Sequence, residues 1–434
     1  MKLFINQLAK SRFIRNLFIV SFGSGTALVI GFLFTPFLGR IYGPNEYGIF
    51  ALISSIVLNL SPLSTLSFEQ AMILPKSRRS YYSLIGLNLF FLFSSTFIVL
   101  IIIVAIDFTD ISLGADIDGA KSLIYFIPVL LVVNVLCQFI TNISVRRDKH
   151  SIVASGRISS IVVTKFYAIF HGLFVRVSAL GFIISDVIGK VIFISTCLIN
   201  PTNRSDLIIG FRSISTGNMK SIFKEFINYP IFVFPAILTS SLYAQLPVYF
   251  FSWLFTPYVV GLYSMSSSLL MIPMAMVGRS IGTVFYQRAA ECYNSGDLQH
   301  LRKISIILIS RMIILCIPFA LLMIFWGEQI LLLVLGSDWI DAAEYVRIMV
   351  LYFSFEMVAF PLVSLFKVLR KEKLLFRLNF SSLIIICVAL YFGYLSGDPI
   401  TSIYLITISR ILEMGLKIVF ILFELKREAS ASNS

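Results

Sequence analysis

The stretch YSLIGLNLFFLFSSTFIVLIIIVAI at residues 82–106 contains no Asp, Glu, Lys or Arg. It is long enough to cross the hydrocarbon core of a bilayer, which takes about 20 residues of α-helix. Further apolar stretches of similar length lie on both sides of it, at 16–39, 48–73, 122–144, 152–174, 177–199, 229–252, 258–285, 304–326, 343–366, 374–395 and 400–423. The sequence therefore predicts an all-α polytopic membrane protein with about 12 transmembrane helices.

Basic residues are sorted between the loops of this predicted array. Most of the 35 Lys and Arg residues lie in the two termini and in every second loop, whereas the alternate loops contain only Arg40, Lys121 and Arg176. Because cytoplasmic loops carry the basic excess, we expect both termini to lie in the cytoplasm. The net charge of +13 lies beside the predicted spans. It therefore predicts contact with anionic lipids and no nucleic-acid partner.

The two halves of the chain resemble each other. GPNEYGIFALISS at 43–55 and TPYVVGLYSMSSS at 256–268 share a proline, a glycine and two serines at a constant offset. The longest polar gap separates six predicted spans from six, which predicts lobes at 1–205 and 229–434. The linker at 206–228 is either partly an amphipathic helix on the membrane surface or a solvated segment. Six spans per half make the repeat a parallel one, and two facing bundles leave a central cavity suited to alternating access.

Several basic residues fall inside the predicted spans. An ionisable group at the centre of a spanning helix costs at least ~2.5–3.5 kcal/mol and normally faces protein or water. Lys165, Arg279 and Arg311 have no acidic neighbour within four positions on their own helices. We therefore expect them to line a cavity for an anionic substrate, with ion pairs between helices as the alternative. Arg40 and Arg410 complete the predicted set of substrate-binding residues.

Five charged residues are predicted to serve ion coupling or pairing between helices, namely Glu69, Asp186, Lys190, Glu356 and Glu413. Asp186 and Lys190 are four residues apart and share a helix face, and Arg410 and Glu413 are three apart, so each spacing predicts a pair along one helix. Coupling to protons or to Na+ is left open. The sequence contains no zinc-ligand pattern, nucleophile elbow or phosphate-binding loop, so neither an enzyme nor a bound cofactor or metal is predicted.

Two segments carry a resemblance to a known family. The stretches GTALVIGFLFTPFLGRIYGPNEYGIFALISS at 25–55 and SFEQAMILPK at 67–76 are similar to the N-terminal signature of Wzx-type O-antigen and polysaccharide flippases. The positions that fit this signature are Pro36, Arg40, Pro44, Glu46, Tyr47, Gly48, Glu69, Ala71 and Pro75. Residues 245–278 and 336–371 are similar to the corresponding regions of the second half, so the resemblance covers most of the chain in order.

The resemblance implies the multidrug/oligosaccharidyl-lipid/polysaccharide exporter fold, with two six-helix lobes forming a V around a cationic cavity. It also implies the substrate, an undecaprenyl-diphosphate-linked oligosaccharide that is moved from the cytoplasmic to the periplasmic leaflet of the bacterial inner membrane. The polymerase and chain-length proteins of the same pathway are the implied protein partners.

Two alternatives remain open at this point. A cation-coupled multidrug exporter of the same fold would more naturally place unpaired carboxylates in its cavity than Lys and Arg. A membrane enzyme of polysaccharide assembly, such as a polymerase, would be expected to have a large outward loop, which the predicted topology lacks.

Overall fold

The computed structural model describes residues 25–108, 121–214 and 216–431, and these ranges contain helices and turns but no strand. Ten helices in them are long and apolar enough to cross a membrane. The ten correspond in order to the second to eleventh predicted spans. The predicted first span corresponds to a shorter apolar helix that starts at Gly25, and the twelfth to a long helix that carries charged residues in its interior. The chain is therefore a multi-pass membrane protein.

The helices are numbered here in chain order. They are α1 Gly25–Ile41, α2 Pro44–Thr65, α3 Arg78–Phe108, α4 Ile127–Arg146, α5 His150–Phe174, α6 Ala179–Leu198, α7 Pro201–Arg212, α8 Thr216–Glu225, α9 Phe234–Leu254, α10 Pro257–Pro273, α11 Arg279–Asn294, α12 Leu298–Val334, α13 Ala342–Val363, α14 Glu372–Ser396 and α15 Pro399–Ala431. They divide into two compact units, unit 1 from Met1 to Leu242 and unit 2 from Tyr243 to Ser434. The division falls within α9, and the lobe borders drawn from the sequence stay a prediction.

Two residues near the start of α2 hold it against α5 and α6. The Glu46 carboxylate accepts a hydrogen bond from the backbone N–H of Ala179 at 2.5 Å, so it satisfies a free donor in the first turn of α6. The Tyr42 hydroxyl donates to the backbone oxygen of Ala168 on α5 at 2.8 Å. Pro44 occupies the first turn of α2, where a missing N–H costs nothing. The Pro-x-Glu sequence therefore has a structural role in unit 1.

The same turn ends one helix in each unit. After α4, Lys149 N–H bonds to Ser144 O at 2.8 Å. In unit 2 a short helix at Leu365–Val368 follows α13, and after it Lys371 N–H bonds to Phe366 O at 2.7 Å. The residue before each lysine has a φ of 55°. This is the Schellman arrangement with a left-handed residue just beyond the helix. The turn follows the fourth predicted span of each half, as a repeated architecture predicts.

Asp206 on α7 anchors the segment that follows α6 to the rest of unit 1. Its side chain is 1% exposed and accepts hydrogen bonds from Arg147 Nε at 2.9 Å and Nη2 at 2.8 Å. The hydroxyls of Tyr81 and Tyr82 each donate to it at 3.1 Å. The hydrogen bonds to Asp206 raise the pKa of the Arg147 guanidinium above its already high value. We call these four residues the Asp206 clasp.

The second half of the linker enters the core of unit 1. Ile222 on α8 and Phe226 just after it are buried in one cluster with Phe68. The apolar face of α8 therefore packs on protein, whereas Lys220 and Lys224 on its other face are exposed. Whether that face meets solvent or the membrane surface stays a prediction.

Replacing Asp206 by Asn is expected to loosen the linker, because a neutral amide cannot accept all four hydrogen bonds. A hydrogen bond to a charged group contributes at most about 1.5–3 kcal/mol. Because Arg147 is partly solvated, we expect Asp206→Asn to lower the free energy of unfolding by about 1–3 kcal/mol. Limited proteolysis of the purified protein should cut residues 200–228 faster. Asp148→Asn is the matched control, since Asp148 lies in the same region with its side chain 85% exposed. Equal cleavage of both variants would contradict this role.

Helices α5 and α6 approach each other closely at Gly189. A Cβ atom on Gly189 would lie 1.8 Å from Thr164 Oγ1 and 3.1 Å from the backbone oxygen of Ser160. Gly189→Ala is therefore expected to force the helices apart and to destabilise unit 1 by about 1–3 kcal/mol. Thermal unfolding in detergent measures the effect. Gly415→Ala is the control because no atom lies within 4 Å of the added methyl group, and an equal melting temperature for the two variants would count against close packing.

Candidate functional site

Arg410 on α15 is a buried cation in unit 2. It is 8% exposed, and its guanidinium lies 4.1 Å from the ring centroid of Tyr243 and 6.0 Å from that of Tyr352. Its Nη2 donates to the backbone oxygen of Tyr243 at 3.3 Å, and its Nε has no hydrogen-bond partner. None of the described carboxylates of unit 2 forms an ion pair with it. A guanidinium has five N–H donors, so most of the binding capacity of Arg410 is unused.

Glu413 pairs with Lys417, one turn further along α15. The two side chains are 3% and 9% exposed and their charged atoms lie 2.5 Å apart. The sequence prediction that Arg410 pairs with Glu413 is therefore wrong. A Glu followed by a Lys four residues later is the favourable order on a helix, whereas the Arg410 guanidinium lies over aromatic rings. Glu356 on α13 is close enough to Arg410 and Lys417 to interact electrostatically with both.

Unit 1 contains a smaller group of charges on α5 and α6. The predicted pair of Asp186 and Lys190 is present, with Lys190 Nζ and Asp186 Oδ2 2.8 Å apart. Lys165 on α5 is half-buried and interacts electrostatically with the same Asp186. It forms neither a hydrogen bond nor an ion pair with the described residues of unit 1. Because one carboxylate serves two ammonium groups, this group carries an excess positive charge.

Glu69 lies beyond the spanning helix in which the sequence placed it. Helix α2 ends at Thr65, and Glu69 belongs to a 3-10 turn at Phe68–Ile73. Its side chain is 3% exposed and accepts a short hydrogen bond from the Thr65 hydroxyl. The Asn142 side chain donates to the backbone oxygen of Glu69 at 2.9 Å. Among the described residues of unit 1, no Lys or Arg forms an ion pair with Glu69.

A pocket of about 270 Å³ adjoins Glu69 within unit 1. Its polar lining includes Glu69, Gln70, Gln138, Thr141, Asn142 and Ser241. The sequence analysis missed all of these except Glu69, because uncharged polar residues inside apolar stretches are common and give no strong signal alone. The three-residue spacing of Gln138 and Thr141 on α4, which places both on one helix face, was the available clue.

The remaining predicted substrate-binding residues are dispersed. Arg40, at the end of α1, is exposed, and so is Arg311 on α12. Arg279 begins α11 directly after a π-helical turn at Met274–Gly278, and its side chain lies outside the described part of the structure. Of the predicted residues, the structure brings Lys165 together with Asp186 and Lys190, and Arg410 together with Glu356. Their binding of substrate stays a prediction.

Comparison with known proteins gives a family and a fold. A family model described as "Polysaccharide biosynthesis protein" matches residues 37–344. Among solved structures, the chain is similar to lipid II flippase MurJ in an inward closed conformation, with 13% identity, a TM-score of 0.70, and coverage of 95% of this chain and 90% of that one. Curated proteins gave no match to the chain.

Two transporters share the same fold. An inward-facing multidrug resistance MATE family transporter of the MOP superfamily has 12% identity and a TM-score of 0.64, covering 94% of this chain and 96% of its own. A MOP superfamily transporter from Pyrococcus furiosus has 12% identity and a TM-score of 0.58, covering 97% and 98%. Identities this low show only a common fold, and that fold confirms the predicted class of two-lobed helical membrane protein.

The Glu413–Lys417 pair makes a prediction about stability. Lys417→Met leaves a buried carboxylate without its partner and is expected to lower the free energy of unfolding by about 3–5 kcal/mol. Glu413→Gln combined with Lys417→Met removes both charges and should lower it much less. Thermal unfolding of the two single variants and the double variant in detergent measures the coupling. Effects that simply add would show that the two groups do not depend on each other.

Proposed function

The chain belongs to the polysaccharide biosynthesis protein family, and from this membership we propose that it is a flippase for an undecaprenyl-diphosphate-linked oligosaccharide. The proposed direction is from the cytoplasmic to the periplasmic leaflet of a bacterial inner membrane, with both termini in the cytoplasm. The sorted basic loops support this orientation. We further propose that anionic lipids and the polymerase and chain-length proteins of the same pathway are its partners.

The observation that carries this proposal is the state of Arg410. Arg410 is buried, and none of the described carboxylates of unit 2 forms an ion pair with it, although Glu356 lies near enough to interact electrostatically. A buried cation in this state is costly, so a ligand that supplies negative charge is stabilised at this position. Guanidinium groups match phosphate oxygens because their N–H donors form a planar fork. The diphosphate of a lipid-linked oligosaccharide offers such oxygens. The guanidinium lies over the ring of Tyr243 and near that of Tyr352, and its Nε has no hydrogen-bond partner, so it has a donor available for a ligand.

Lys165 supports the same reading from unit 1. It shares Asp186 with Lys190, so negative charge near it is insufficient for both ammonium groups. We propose that each of these two cations stabilises the anionic part of the substrate at some stage of transport.

A cation-coupled multidrug exporter of the same fold is the second candidate. The observation in its favour is Glu69, a buried carboxyl group that no described Lys or Arg of unit 1 neutralises. A site of this kind suits a cationic drug or a coupling ion. Drug resistance conferred by the wild-type chain, lost in Glu69→Gln and retained in Arg410→Met, would favour this candidate.

The flippase proposal predicts the result of removing the two cations. In a strain that lacks the native protein, Lys165→Met combined with Arg410→Met is expected to lower surface polysaccharide at least tenfold. This corresponds to a loss of about 1.4 kcal/mol in stabilisation of the bound substrate. Lipid-linked units should accumulate in the cytoplasmic leaflet. The measurement is surface polymer, with protein amount checked by blot.

Arg302→Met combined with Lys303→Met is the matched control, because both of these α12 residues are exposed. It removes the same charge and should leave surface polymer unchanged. Normal polymer from the Lys165 and Arg410 variant would exclude the role of the cations. Normal polymer in the strain without any copy of the protein would exclude the function.

A further inference from the structure

The pocket beside Glu69 differs in chemistry from the surroundings of the cations. It is formed within unit 1 by α2, α4, the 3-10 turn at Phe68–Ile73 and the part of α9 before residue 242. Its lining residues contribute amide and hydroxyl groups and one carboxyl group, and no Lys or Arg is among them. A phosphate group would therefore meet a carboxyl group there and no compensating positive charge.

We infer that this pocket is a subsite for an uncharged, hydroxyl-rich group, a single sugar ring of the transported glycan. The inference rests on the proposed function and adds to it a separate place where the sugar, as opposed to the diphosphate, is recognised.

The polar groups of the pocket divide into fixed and free ones. Thr141 donates its hydroxyl to Cys137 O on its own helix at 2.7 Å, and Asn142 donates to Glu69 O at 2.9 Å and so joins α4 to the 3-10 turn. The side chains of Gln138 and Ser241 are half-buried in the lining and make no hydrogen bond with any described residue. An amide and a hydroxyl that each donate and accept match the hydroxyls of a sugar, which also do both.

Part of the lining is apolar. Leu58 and Pro62 on α2 and Ile237 on α9 contribute to it, and Ser61 on α2 adds one more hydroxyl group. A pyranose ring has C–H faces as well as hydroxyl edges, and a lining that mixes apolar side chains with several polar groups contacts both. The lining is more polar than that of an ordinary small-molecule site, which suits a ligand rich in hydroxyl groups.

The volume of the pocket is large enough for a sugar ring. A site of about 270 Å³ has room for roughly nine waters at about 30 Å³ each. A monovalent ion held by Glu69 needs oxygen ligands that converge on one point, at distances of about 2.3–2.6 Å for ions of comparable size. The pocket is much larger than such a cage and accommodates one sugar ring.

Two neutral variants test the subsite. Gln138→Leu and Ser241→Ala remove the free hydrogen-bonding groups while they keep most of the volume and all of the charge. The probes are undecaprenyl diphosphate and the undecaprenyl-diphosphate-linked oligosaccharide extracted from the strain that makes the glycan. Native mass spectrometry of the full-length protein measures the affinity of each lipid. We expect wild type to prefer the glycosylated lipid, and each variant to lose on the order of fivefold of that preference.

Binding of undecaprenyl diphosphate should be the same in wild type and both variants, which also shows that the variants are folded. Gln287→Leu is the matched control, since Gln287 is exposed on α11 and lies outside the pocket. Arg410→Met should instead weaken the binding of both lipids by a similar factor. The two kinds of variant therefore separate recognition of the sugar from recognition of the diphosphate.

The outcomes distinguish this inference from the proposed function. An unchanged preference in Gln138→Leu and Ser241→Ala, with both lipids bound, would overturn the sugar subsite and leave the flippase proposal intact. Failure of wild type to bind either lipid would overturn both. An unchanged preference together with loss of Na+-dependent thermal stabilisation in Gln138→Leu would identify a cation site and overturn the sugar assignment.

Discussion

The hydrocarbon core of a membrane contains no hydrogen-bond partners, and the placement of polar groups in this chain follows from that constraint. Helices satisfy the backbone, so only side chains and helix ends remain to be satisfied. Asp186 with Lys190 and Glu413 with Lys417 meet the constraint as neighbours on a single helix. Arg410, Lys165 and Glu69 are charged groups that form no ion pair with the described residues of their own units. Buried charges of this kind are the first candidates for functional residues.

The sequence predicted the spanning segments well because the signal for each one is summed over about 20 residues. Errors arose where a few residues decide the outcome. The second span was extended to residue 73, although the helix ends at Thr65 and the chain continues as a 3-10 turn. Apolar composition continues through that turn, since its residues pack in the core of unit 1, and composition cannot distinguish a buried turn from a helix.

The pairing of charges was predicted with mixed success for a related reason. Spacing along a helix fixes which groups are able to meet, but neighbouring helices decide which of them do. Asp186 and Lys190 form the expected pair, although Lys165 also interacts with Asp186 from α5. Arg410 lies over Tyr243, a residue far away in sequence, so its separation from Glu413 was invisible to a rule based on spacing. The pocket beside Glu69 is not predictable from sequence spacing for the same reason, because its lining comes from four segments that are separate in the chain.

The linker has a consequence for how the protein is made. Helix α6 ends at Leu198, but residues that pack in the core of unit 1 follow it in the chain. Arg147 and the two tyrosine hydroxyls gain their partner only when Asp206 has been synthesised, and Phe68 packs against Phe226 only after that residue has been added. The packing of unit 1 is therefore completed by residues that follow α6 in the chain and that are synthesised shortly before the helices of unit 2.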